Sequence, residues 1–133
     1  MSLFLVLLGG AVGAPVRYLV DRAVMRGRSG AMPWGTLAVN VIGSFVLGLV
    51  VGVTSVIPAA AQAAYAGLTA DQWRLLLGTG LCGALTTYST FGFENVRLLQ
   101  EGRVQLAMVN IGGTLAATCA AVAAGLALAS AVV

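Results

Sequence analysis

Apolar residues run along this chain in four long stretches, each wide enough to cross a bilayer and separated by short polar turns. They cover about residues 3–20, 34–57, 72–98 and 104–131. A hydrocarbon core of about 30 Å needs roughly 20 mostly apolar helical residues, and each stretch meets that length. Arg17 alone interrupts the first. The second carries no charge and begins directly after Pro33, a residue suited to helix entry. The third has its charge-free centre between Leu75 and Phe93. The connections, Asp21–Pro33, Pro58–Asp71 and about Leu99–Arg103, leave almost nothing for a soluble domain. The pattern predicts an all-α membrane protein in which residues 1–133 form a single four-helix transmembrane domain.

Four short helices enclose a pathway poorly, which points to self-association. Gly9, Gly10 and Gly13 in the first span, Gly48 and Gly52 in the second, and Gly112 and Gly113 in the fourth supply small residues. Such spacing lets helix backbones approach closely where lipid removes the usual hydrophobic drive.

Polar groups inside these spans are costly, so each is a functional candidate. Asn40 sits in the middle of the second span, either as a helix–helix clamp or as the lining of a polar path. Thr86-Thr87-Tyr88-Ser89-Thr90-Phe91-Gly92 places four Ser and Thr side chains and a Tyr in the third, with Gly78, Gly80 and Gly83 just upstream. Hydroxyl and β-branched residues compete with helical backbone bonds, so the third helix is predicted to break there, at mid-membrane depth. Irregular backbone at that depth needs protein or a water-filled cavity around it, and freed carbonyls at such a break can hold a cation. Asn110, Thr114 and Thr118 recur every four residues and share one helix face. Tyr88 and Phe91 would share another.

Composition then removes whole classes of function. Only 8% of residues are charged, against about 25% in soluble domains. There is no His and no Lys, and Asp21, Asp71, Glu94 and Glu101 form no close pair. Hydrolytic and metal-dependent enzyme chemistry therefore has no residues to run on, and the chain is not expected to be an enzyme. The seven arginines form no basic block, which argues against nucleic acid. Cys82 and Cys119 lie in apolar runs and are expected to be buried small residues, and the N-terminus lacks the basic region of a cleavable signal. A narrow, donor-rich, neutral lining suits a small anion or water.

The segments Gly9–Tyr18, Gly35–Phe45 and Gly83–Phe91, together with Glu94, resemble the Fluc (CrcB) family of fluoride channels. The resemblance implies an antiparallel dimer with two narrow pores in the plasma membrane, passing fluoride out of the cytoplasm down its electrochemical gradient. It implies a structural sodium ion at the dimer centre, not transported, held by the backbone carbonyls of Gly83 and Thr86. It places Asn40, Ser89, Thr90 and Asn110 along the pore, Tyr88 and Phe91 as its aromatic box, and Thr114 and Thr118 as its polar track. Arg17 then belongs to a vestibule and Glu94 follows the break. Two positions depart from the family pattern: Tyr88 stands where Phe is usual, and Asn110 where a Tyr is usual. The rival readings are a small multidrug-type cation exporter, which lacks its mid-membrane carboxylate here, a purely structural packing subunit, and a non-conducting partner in a paired fluoride channel.

The arginines also predict an orientation. Arg22, Arg26, Arg28, Arg97 and Arg103 lie around the first and third loops, and Arg74 alone lies on the other side. The positive-inside rule puts the first and third loops in the cytoplasm. A chain so strongly oriented would pair with a related, oppositely inserted subunit, the alternative being a homodimer that tolerates the bias.

Overall fold

The computed structural model describes residues 2–28, 30–56 and 67–132, and these fold as helices with no strand among them. Helix α1 spans Ser2–Met25 and carries Pro15 inside it. Helix α2, Trp34–Val56, starts where Pro33 ends the preceding loop. Part of the predicted second loop, residues 57–66, lies outside the described residues.

The third stretch does not form one helix. It opens with a capping box: Thr69 Oγ1 accepts from the Gln72 amide, and Gln72 Oε1 accepts from the Thr69 amide. Helix α3 (residues 70–85) then runs through an α-helical turn, Ala70–Trp73, a π-wound stretch, Arg74–Cys82, and a last turn, Gly83–Leu85. Thr86 and Thr87 are extended, with ψ of 158° and 123°. Helix α4, Tyr88–Gln100, resumes on the N-cap of Thr87, whose Oγ1 accepts from the Thr90 amide. A Schellman turn ends it. Gly102 takes φ of 72°, and Arg103 N–H donates to Leu98 O at 2.9 Å. Helix α5, Val104–Val132, completes the chain.

Three of these helices, α1, α2 and α5, are each long and apolar enough to cross a membrane, with mean hydropathies of 1.9, 2.2 and 2.0. The interruption at Thr86–Thr87 divides the third stretch into pieces too short to qualify singly. Large apolar side chains such as Phe4, Leu7, Leu115 and Met108 face outward, as they must against lipid.

Two glycine contacts organise the packing. At the α1–α3 crossing, a Cβ on Gly9 would fall on Leu76 O, and one on Gly13 would meet Leu81 O. Between α2 and α5, Gly48 lies against Val122 O and Gly125 against Phe45 O. The expected packing roles of Gly9, Gly13, Gly48 and Gly52 thus fall on real interfaces. Gly112 and Gly113 do not: nothing lies within 4 Å of a Cβ built there, and Gly125 takes the role on α5. At the far end of the bundle Arg74 ties α3 to α2, with Nε donating to Thr54 Oγ1 at 2.8 Å and a terminal nitrogen to Ser55 Oγ at 3.0 Å.

Candidate functional site

The site is built around the two extended residues between α3 and α4. An unbroken α-helix would pair Thr87 N–H with Gly83 O and Thr90 N–H with Thr86 O. Neither bond is available. Thr87 N–H donates instead to Asn40 Oδ1 at 2.7 Å, and Thr90 N–H donates to Thr87 Oγ1 at 3.3 Å. The carbonyls of Gly83 and Thr86 therefore lose the amides that a continuous helix would give them.

Asn40 makes the interruption affordable. Its Oδ1 takes the Thr87 amide while its Nδ2 donates to Thr87 O at 3.1 Å, so one side chain satisfies both backbone groups of a buried residue. An amide nitrogen carries two protons, and this bond uses one. Thr86 closes the end of α3, its amide and its Oγ1 both donating to Cys82 O at 2.9 Å.

A cavity of about 430 Å³ opens beside this break, and its walls include Asn40, Gly83, Thr86, Tyr88, Phe91, Thr114 and Thr118. Among the described residues, no carboxylate lines it. The Tyr88 and Phe91 rings lie with centroids 6.3 Å apart and planes tilted by 43°. Tyr88 is 86% exposed in the single chain. Thr118 Oγ1 donates to Thr114 O at 2.8 Å, the usual back-bond of a helical threonine.

Five of the residues singled out from sequence lie elsewhere. Asn110 is off the cavity wall, buried between α4 and α5, with Nδ2 donating to Asn95 Oδ1 at 3.0 Å. Thr90, Arg17 and Glu94 line a second cavity of about 220 Å³, together with Asp21, Thr36 and Thr87. Ser89 is exposed and on neither wall, its Oγ 3.5 Å from Thr87 Oγ1. Sequence reasoning passed over two residues that the structure makes central. Thr36 donates to Glu94 Oε1 at 2.7 Å, while Glu94 Oε2 is buried without a partner among the described residues. Thr36 lies one helical turn before Asn40, and that spacing was the available signal. Asn95 bonds both Phe91 O, at 2.7 Å, and Asn110. Its signal was faint: an Asn either side of the tight Gly102 turn that folds α4 back onto α5.

Among the described residues, no group of three or more His, Cys, Asp or Glu side chains could hold a metal.

Apolar crossing helices around an interrupted one, with polar groups gathered at the interruption, define a helical membrane protein. The profile of the family described as "CrcB-like protein, Camphor Resistance (CrcB)" matches residues 4–126. The chain belongs to the CrcB family. It is 48% identical to "Fluoride-specific ion channel FluC 1" of Frankia casuarinae over 132 residues, 99% of this chain and 98% of that protein. It is 46% identical to the protein of the same name from Streptomyces avermitilis, over 94% of this chain and 93% of that one. With "Fluoride-specific ion channel FluC 2" of Haloarcula marismortui it shares 44% identity over 95% of this chain and 90% of that protein. These relatives are named as ion channels, not as enzymes.

Proposed function

We propose that the chain is a subunit of a fluoride channel, passing fluoride out of the cytoplasm passively across the plasma membrane. The observation that carries this reading is the interrupted helix opening on a largely apolar cavity whose wall carries an amide, hydroxyls and aromatic rings, with no carboxylate among the described residues. It agrees with the printed names of the relatives. Fluoride is small and accepts hydrogen bonds strongly, so it needs donors in place of the water it leaves. The second proton of Asn40 Nδ2, the hydroxyls of Thr114 and Thr118, and the positive ring edges of Tyr88 and Phe91 are the groups to supply them. Asn40 is both clamp and lining, because its amide has donors for each. Arg17, beside the second cavity, draws the anion toward its entrance. A proton-coupled exporter of drug cations would need an acid on the main cavity's wall.

The functional unit is an antiparallel dimer of four-helix subunits with the break at mid-membrane depth. The cavity reaches the surface, and Tyr88 projects from it at 86% exposure, a costly arrangement for a phenol facing lipid alone. The carbonyls of Gly83 and Thr86, twice over, give four oxygens for one sodium ion at the dimer centre. Oxygen ligands suit a hard cation. When bound, sodium supplies the positive charge that holds the two breaks together and is not itself transported. Each chain acts as one membrane domain. The arginine bias fixes its orientation, and its partner is a related subunit inserted the other way. The numbered names "FluC 1" and "FluC 2" among the relatives accord with separately encoded subunits.

Flux from liposomes tests the reading: fluoride against chloride, with sodium and with sodium replaced by a larger cation. Fluoride efflux that needs sodium, with chloride retained, is the expected result. Equal passage of both anions, or of neither, overturns it.

A further inference from the structure

The hydrogen bonds joining α4 to α5 have a fixed direction. Phe91 O can only accept, and Asn95 Nδ2 donates to it at 2.7 Å. With its NH2 committed there, Asn95 turns Oδ1 toward α5, where Asn110 Nδ2 donates at 3.0 Å. Asn110 is then left with Oδ1 facing the next turn, and Thr114 Oγ1 donates to it at 3.4 Å. Asn95 is 5% exposed and Asn110 1%, so neither amide can satisfy itself with water in another orientation. Each amide's orientation follows from the group before it. The series starts on a backbone carbonyl and ends on a hydroxyl in the main cavity wall, whereas Asn95 and Asn110 are off that wall.

The last link is the weak one. Bonds between two oxygens ordinarily fall at about 2.5–3.0 Å, and 3.4 Å is well beyond that. Thr118, one turn on, shows what a threonine does without such a partner: it locks onto the backbone at 2.8 Å. Thr114 is spared that lock because Asn110 Oδ1 offers its proton a looser resting place.

We propose that Asn95 is a positioning residue. Through Asn110 it keeps the Thr114 hydroxyl in reserve, bonded when the cavity holds no acceptor and released to a small hydrogen-bond-accepting anion when one arrives. The proposal rests on the fluoride-channel reading above. Without Asn95 nothing fixes the Asn110 amide, and the Thr114 hydroxyl falls back onto its own helix as Thr118 does.

A double-mutant cycle on the full chain in liposomes separates positioning from mere packing. Asn95→Leu removes both bonds. Asn95→Ser keeps a back-bond to Phe91 O and loses only the reach to α5, so it answers the question even where the leucine variant fails to assemble. Each is expected to slow fluoride efflux on the order of tenfold, the scale of one buried neutral hydrogen bond. Thr114→Val should do the same, and combining it with either Asn95 variant should slow efflux no further. Losses that multiply, or an Asn95→Ser protein with ordinary efflux, overturn the relay while leaving the channel intact. Wild-type protein that passes no fluoride overturns both readings together.

Discussion

The two sides of this bundle are held by opposite means. Where α1 crosses α3, backbone meets backbone: Gly9 and Gly13 lie against the carbonyls of Leu76 and Leu81, and no side-chain hydrogen bond joins the two helices among those described. Around the break, α2, α4 and α5 are joined by side-chain bonds: Thr36 to Glu94, Asn40 to Thr87, Asn95 to Asn110. In lipid, close packing and polar bonding are the two devices left for helix association. The separation in this chain is partial: close packing alone serves the α1–α3 crossing, whereas around the break side-chain bonds are added to the α2–α5 glycine contacts, and Arg74 adds a polar tie at the far end.

The separation makes the effects of substitution differ in kind. The largest effect belongs to the packed side. Gly9→Leu drives a side chain into the Leu76 carbonyl, where no flexible group can yield. Overpacking of this sort costs about 1–3 kcal/mol or more, and little monodisperse protein should emerge from size-exclusion chromatography. A normal yield with normal thermal unfolding would show that α1 can slide away from α3.

On the bonded side, Asn40→Leu should abolish fluoride efflux and lower stability together. It strands the buried N–H and C=O of Thr87, at about 1–3 kcal/mol each. Thermal unfolding in detergent, read beside liposome efflux, checks both. Stability lost with efflux intact would assign Asn40 to the clamp alone.

A smaller effect is expected at Gly83. In the single chain nothing lies within 4 Å of a Cβ there, so Gly83→Ala should fold normally and yet weaken the sodium dependence of efflux. Unchanged sodium dependence would move the cation away from this carbonyl. The least effect belongs to Thr86→Ser, since serine keeps the hydroxyl that bonds Cys82 O and leaves the backbone oxygen in place. Sodium dependence should survive it. If it does not, the lost methyl group, which packs toward Gly43, is what orders the break.

The sequence announced the polar side more clearly than the packed one. A hydroxyl-rich run inside an apolar stretch has few physical solutions, and the interruption at Thr86–Thr87 is one of them. Asn40 was conspicuous for the same reason, although its partner, 47 residues away, was not readable from any local pattern. Asn95 escaped notice because it lies near a helix end, where an Asn is ordinary and only the turn that follows makes it internal. Glycines were ambiguous. Gly112 and Gly113 look like a packing pair but face open space in the chain, whereas Gly125, further along the same helix among alanines, touches α2. The π-winding of Arg74–Cys82 was not legible in the pattern of apolar positions.

The reciprocal bond between Asn40 and Thr87 has a consequence for biogenesis. A third span emerging from the ribosome with two extended residues cannot enter hydrocarbon alone, because its exposed amide and carbonyl would have no solvent to turn to. Their partner lies in α2, which is synthesised first. The segment before the break can wait at the insertion machinery until α2 offers its amide, and the two then partition into lipid as a unit. In that order the second helix supplies the partner groups that the break in the third requires.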